Sequence, residues 1–95
     1  MSLLQFEWDS NKAEANLAKH GVSFEEAITV FADPLARIFN DDEHSGDERR
    51  EIIVGHSAQQ TLLLVSFTGD DTVRILSARK ATKRERKDYE ENVGS

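Results

Sequence analysis

Seven of the twelve lysines and arginines in this 95-residue chain fall between Arg74 and Lys87, against a single acid, Glu85, a local balance of +6. Residues 1–73 carry five basic and fourteen acidic side chains, residues 88–95 add −3, and the formal net charge is −6. Nearly all the positive charge of an acidic protein is therefore gathered at one place, which makes that place a candidate site for a phosphate backbone or an acidic partner. Arginine suits such a task because its planar fork pairs two oxygens at once. Arg74 and Arg79 lie in an apolar run, Lys80 follows it, and Lys83, Arg84, Arg86 and Lys87 occupy a polar stretch that ends near Tyr89. Arg49 and Arg50 open another apolar run, and Lys19-His20 close a helical one. His44 and His56 fall in expected loops, where either could titrate near neutral pH and act as acid or base. Neither has a distinctive spacing.

These groups need a frame. Leu4 to Trp8 alternates apolar and polar, which predicts a short strand. Asp9 or Ser10 reads as an N-cap for a helix over 11–20, with Ala13, Leu17 and Ala18 turned inward and Gly21 just past its end. Ser23 and Glu26 form a capping box. Phe24, Ala27, Ile28 and Phe31 then make one apolar helical face, and Asp33-Pro34 stops the helix. The period next becomes extended. Strands are expected over 35–39, 50–55, 61–67 and 73–79, the third nearly all apolar and therefore central, with Gly69-Asp70-Asp71 as a hairpin turn. Period two would place Arg79 on the face of Ser77 and Ile75, with Lys80 opposite, near Arg74. Thr82 and Glu85 form a second capping box opening a helix to about residue 92. The expected class is α+β: two N-terminal helices packed on one face of a mainly antiparallel sheet, with a C-terminal polar helix whose one large apolar side chain is Tyr89.

Composition narrows the function. Ninety-five residues make one domain, able to bury a modest core. With no cysteine there is no disulfide framework, thiolate metal site or Cys nucleophile. No apolar run approaches the ~20 residues that span a bilayer, and no basic-then-apolar leader opens the chain, so a cytoplasmic location without membrane attachment is expected. Asp41, Asp42, Glu43, His44 and Asp47 lack the ligand order of a calcium loop, and a solvated loop is the expectation, with no metal and no cofactor. An acidic protein is poorly built for general nucleic-acid binding, so only the local patch could hold RNA or DNA. The two N-terminal helices, with Glu14, Glu25, Glu26 and Asp33 against Lys12 and Lys19, do not form a helix-turn-helix reader of DNA.

An ordered set of residues across nearly the whole chain resembles the BrnT toxins of bacterial type II toxin–antitoxin systems. It comprises Phe6-Glu7-Trp8-Asp9, Lys12, Asn16, Lys19-His20-Gly21-Val22, Phe24-Glu25-Glu26-Ala27 and Asp33-Pro34. It continues through Glu48-Arg49, Gly55, Ile75-Leu76-Ser77-Ala78-Arg79-Lys80-Ala81, Glu85-Arg86 and Tyr89. The resemblance implies a RelE-like fold and a metal-independent endoribonuclease that arrests translation. It also implies neutralisation by a BrnA-type antitoxin with a ribbon-helix-helix domain, through which the complex would touch DNA.

Cleaving RNA without a metal uses the ribose 2′-OH as nucleophile and leaves a 2′,3′-cyclic phosphate. It requires a base, cations for the charge growing on phosphate, and an acid for the leaving oxygen. Given the resemblance, Arg79 is the first candidate for phosphate binding, at a strand end that can aim it, and Arg49 is its candidate partner. Lys19 and His20 are kept as site candidates beside their sufficient role at a helix C-terminus. Tyr89 could donate a proton, stack on a base or anchor the last helix. Glu85 could be a base, though it also suits the helix cap. Arg50, Arg74, Lys80, Lys83, Arg84 and Arg86 are candidate RNA contacts. The rival reading is a non-catalytic module whose basic segment only grips a partner protein.

Overall fold

A computed structural model of the chain describes residues 4–42 and 49–93. His44, with Glu43, Asp47 and Glu48, lies outside the described residues. The elements are β1 (Gln5–Glu7), α1 (Ser10–His20), α2 (Phe24–Thr29), a 3-10 turn (Val30–Ala32), β2 (Arg37–Asn40), β3 (Glu51–His56), β4 (Leu62–Thr68), β5 (Thr72–Lys80) and α3 (Lys83–Val93). Strand order is β1-β5-β4-β3-β2. Only β1 against β5 is parallel, and the hairpin-linked pairs are antiparallel.

Local chemistry sets the helix ends. The Asp9 carboxylate accepts from the backbone N–H groups of Asn11 and Lys12 and caps α1. Gly21 closes that helix at φ 70°, in the left-handed region that glycine enters without a Cβ penalty. Ser23 Oγ accepts from Glu26 N at 3.0 Å and starts α2. Asp33 ends the 3-10 turn.

The core lies on one face of the sheet. Phe24, Ala27 and Val30 are fully buried against Ile53, Leu63, Val65, Phe67, Val73, Ile75 and Ala78, with Ala13 of α1 packed at the margin. Trp8 meets Phe24 edge-on, and Phe31 bridges Phe6 and Phe67 in the same manner. A fully buried phenylalanine such as Phe24 contributes about 2–3 kcal/mol by area alone. β4 sits in the middle of the sheet, as its apolar run requires.

Helix α1 departs from the expected pattern. Leu17 is 51% exposed and Ala18 is exposed, whereas Asn16 is only 7% exposed. The reason is a hydrogen-bonding need. Asn16 donates its amide to Ala78 O (2.8 Å) and Val22 O (3.0 Å) and accepts from Ala78 N at 3.1 Å. β1 pairs with β5 only at Thr72, Val73 and Arg74. Beyond them the free side of β5 has no strand, and the Asn16 amide takes a strand's place.

The second departure is a β-bulge. Ser66 pairs with Ser77 and Phe67 with Ile75, so Leu76 is an extra residue in β5. An inserted residue reverses the in–out alternation beyond it. Arg79 therefore shares a face with Arg74 and Leu64, not with Ile75. Lys80 stands opposite Leu63 on the core face, away from Arg74. This corrects the assignment from simple alternation.

Candidate active site

The face of the sheet away from the core carries the chemistry. Arg37 of β2, Val54 of β3, Leu64 of β4 and Arg79 of β5 stand in one cross-strand row. Helix α3 lies over this row, and the groove beneath it is lined by Arg37, Phe39, Val54, Leu64, Glu85 and Tyr89 among others. Arg79 ends a strand pinned on one side by β4 and on the other by Asn16, so its origin is fixed.

Arg79 is engaged by the helix above it. Its two terminal nitrogens donate to the two carboxylate oxygens of Glu85, each at 2.8 Å. Glu85 also accepts from Thr82 N at 2.9 Å, while its own N–H donates to Thr82 Oγ1 at 3.1 Å, a reciprocal cap. The Arg79 hydrogen bonds hold the Glu85 carboxyl at about 2 from an ordinary 4.5, against the upward push of burial. The same bonds raise the Arg79 value. The carboxylate is thus ionised and occupied as an arginine holder and helix cap. The Arg79 side chain as a whole stays 41% exposed.

Tyr89, one turn after Glu85, is only 7% exposed. Its hydroxyl donates to Leu35 O at 3.2 Å, and its ring meets the edge of His56 with centroids 5.6 Å apart. It is the anchor of α3. Burial, and next the Asp33 carboxylate, push its phenol above the ordinary value, so it is a neutral hydroxyl.

His56 is the last residue of β3 rather than part of a loop. Asp33 reaches it from the end of the 3-10 turn. One Asp33 oxygen accepts from Leu35 N at 2.9 Å; the other accepts from His56 N at 2.8 Å and stands 3.8 Å from His56 Nδ1. Burial pushes the Asp33 carboxyl upward, but the two backbone donors and the imidazole outweigh it, and it rests below its ordinary value. Gly55 makes this approach possible. A Cβ there would lie 2.8 Å from Ala36 Cβ and 3.0 Å from the Asp33 oxygen.

The other sequence candidates lie apart. Arg50 precedes Glu51, the partner of Phe67, so it flanks Thr68 on one side while Arg74 pairs with Thr68 on the other. Arg49, exposed, accepts the Thr68 hydroxyl on its carbonyl at 2.6 Å. Thr68 and Leu64, the Arg79 partner, are four residues apart on β4, about 13 Å along the strand. Arg49 and Arg79 thus mark opposite ends of the sheet. Lys19 and His20 end α1, which packs on the core side of β5, and Lys80 points to that side also. Lys83, Arg84 and Arg86 are exposed on α3; Lys83, Arg86 and Lys87 share one face, turned away from the Glu85–Tyr89 side. Arg37 and the placing role of Asp33 were not legible in the sequence. Asp33 is 23 residues before His56, and only Gly55 hinted at a close approach there.

Among the described residues, no group of three or more His, Asp or Glu side chains is placed to hold a metal ion. No helix among them is long and apolar enough to cross a membrane.

Two kinds of comparison with known proteins give matches. The family model described as "Ribonuclease toxin, BrnT, of type II toxin-antitoxin system" matches residues 8–85. Among solved structures, the Brucella abortus ribonuclease toxin BrnT superposes with a TM-score of 0.64 at 22% identity, covering 85% of this chain and 100% of that one. At that identity the likeness speaks for the fold: three helices with a five-stranded mixed sheet. No curated protein matches.

Proposed function

The chain belongs to the BrnT family of ribonuclease toxins from type II toxin–antitoxin systems, and from that premise we propose that it is a metal-independent endoribonuclease of RelE-like fold that arrests translation. The observation that carries this is the family match across residues 8–85, joined by the arginine-bearing groove that this stretch forms together with the rest of α3. The 2′-OH of the RNA is the nucleophile, the phosphate charge is met by arginine, and a 2′,3′-cyclic phosphate and a free 5′-OH are left.

Arg79 is assigned to the scissile phosphate, with Glu85 holding its fork in plane until substrate competes for it. Tyr89 walls the groove and supplies a neutral hydroxyl. Arg50 and Arg74, with Arg49 beside them, are assigned to phosphates farther along the RNA, since one phosphate cannot reach both ends of the sheet. Lys83, Arg84 and Arg86 extend the cationic surface over α3. Lys19, His20 and Lys80, across the sheet, are assigned a second cationic contact with RNA. The partner is a BrnA-type antitoxin with a ribbon-helix-helix domain, which brings the complex to DNA indirectly. The setting is the cytoplasm.

Inducible expression in a bacterium tests this, with and without the neighbouring gene, for the wild type and Arg79→Ala. Growth arrest relieved both by the neighbour and by the substitution is the expected result. An arrest that Arg79→Ala leaves untouched, with no cleaved RNA, would remove the enzyme reading and favour the binding module.

A further inference from the structure

Two surface grooves adjoin at the edge contact of His56 with Tyr89. Asp33 and His56 line one, and Arg37 and Tyr89 line the other. The imidazole is 43% exposed while the Asp33 side chain is 12% exposed. This is a solvent-facing titratable ring with a sheltered carboxylate behind it. Because Nδ1 faces the carboxylate, Nε2 is the nitrogen turned away from it. At 3.8 Å the carboxylate acts on Nδ1 by its charge rather than by a hydrogen bond, and so favours the tautomer that keeps its proton there and leaves Nε2 able to accept one.

We propose that His56 is the general base of RNA cleavage, with Asp33 as its positioning residue. This rests on the ribonuclease reading above and adds to it the base that reading leaves unassigned. His56 Nε2 takes the proton of the 2′-OH as that oxygen bonds to the adjacent phosphorus. The P–O5′ bond breaks, its electron pair stays on O5′, and solvent water protonates it. His56 then returns its proton to solvent.

The surroundings suit the role. His56 pairs with Leu62 and Arg79 with Leu64, two residues farther along β4 on the same face. Arg37 stands opposite Val54, two residues before His56. Both arginines thus stand on the face of the base, Arg37 on the neighbouring strand and Arg79 across β4, within reach only through its long side chain. The charged and titratable groups facing His56 are Asp33 from the 3-10 turn and Tyr89 from α3, with Arg37 of β2 next to Tyr89. Asp33 is itself fixed by two backbone donors, so it does not swing away when the imidazole changes charge. Glu85, the other carboxylate of the region, is committed to Arg79 and to the helix cap.

The test uses the purified full chain and a labelled single-stranded RNA, alone and on translating ribosomes, with cleavage followed against pH. His56→Ala should lower the rate about 10²–10⁴-fold, with an unchanged melting temperature, and added imidazole should restore part of it. Asp33→Asn should lower kcat with KM and the melting temperature little changed, because the base stays in place but is no longer held by the carboxylate. A merely structural Asp33 would lower the melting temperature and leave kcat of the folded enzyme unchanged. A folded His56→Ala variant with the wild-type rate and profile would overturn the inference and leave the ribonuclease reading standing. So would a folded, inactive variant that imidazole does not rescue, beside a wild-type kcat for Asp33→Asn. A wild type that cuts no RNA under either condition would remove both.

Discussion

Arg79 and Glu85 form a two-pronged pair, both bonds 2.8 Å, that ties the last residues of β5 to the first turn of α3. The same carboxylate caps the helix it opens. One acid thus decides both where α3 starts and where the arginine points.

Replacing Arg79 by lysine should not preserve this arrangement, since an ammonium cannot reproduce the fork. Because both partners are partly exposed, the stability loss should be about 1 kcal/mol or less. The activity loss should be much larger. Thermal melts beside RNA cleavage for Arg79→Lys would show the split; equal cleavage by the lysine variant would count against a bidentate phosphate contact.

The Glu85 carboxyl should titrate near 2 rather than at its ordinary 4.5. A lowered folded value means the bond stabilises the fold fully above the ordinary value and is lost as pH falls toward about 2. Carboxyl carbon shifts followed by NMR should place this residue below the other glutamates, and Arg79→Ala should bring it back among them.

Asn16→Ala should destabilise the protein by about 2–3 kcal/mol, because the N–H and C=O of Ala78 and the C=O of Val22 lose their partner. The urea midpoint should fall with little change in slope. A neutral outcome would mean that water replaces the amide.

Gly55→Ala should cost about 1–3 kcal/mol, since the added methyl meets Ala36 at 2.8 Å and the Asp33 oxygen at 3.0 Å. It should also displace Asp33 from His56. A chemical-shift change confined to residues near 33–36 and 55–57, together with a lower melting temperature, is the expected signature.

Tyr89→Phe should keep α3 docked at a loss of about 1 kcal/mol, since it removes the hydroxyl that bonds Leu35 O and keeps the buried ring. Tyr89→Ala should release the helix. Amide exchange across Lys83–Val93 should rise sharply in the second variant and little in the first.

Much of this was legible along the chain. The caps at Asp9, Ser23 and Thr82–Glu85 are local, since each joins groups three or fewer residues apart. The core faces of α2 and β4 follow from period and composition. Leu17 misled, because periodicity counts apolar residues and cannot show that β5 leaves the N–H and C=O of Ala78 in need of an amide. The basic focus at residues 74–87 was visible as charge, yet its members divide among three surfaces. Arg79 lies under α3 with Arg74 on the same face at the far end of the sheet, Lys80 lies on the core side, and Lys83 and Arg86 face solvent on the helix.

What the sequence by itself determined was the order of elements, the helix caps and the family pattern, all set by neighbours in the chain. What only the tertiary structure decided was which side chains meet. The extra residue Leu76 turns Arg79 from the face of Ile75 to the face of Arg37 and His56. Gly55 admits Asp33 from 23 residues upstream of His56. Side-chain direction in a strand reverses with every residue, so a single bulge, which depends on cross-strand pairing and leaves no mark in local propensity, decides the face on which the arginine acts.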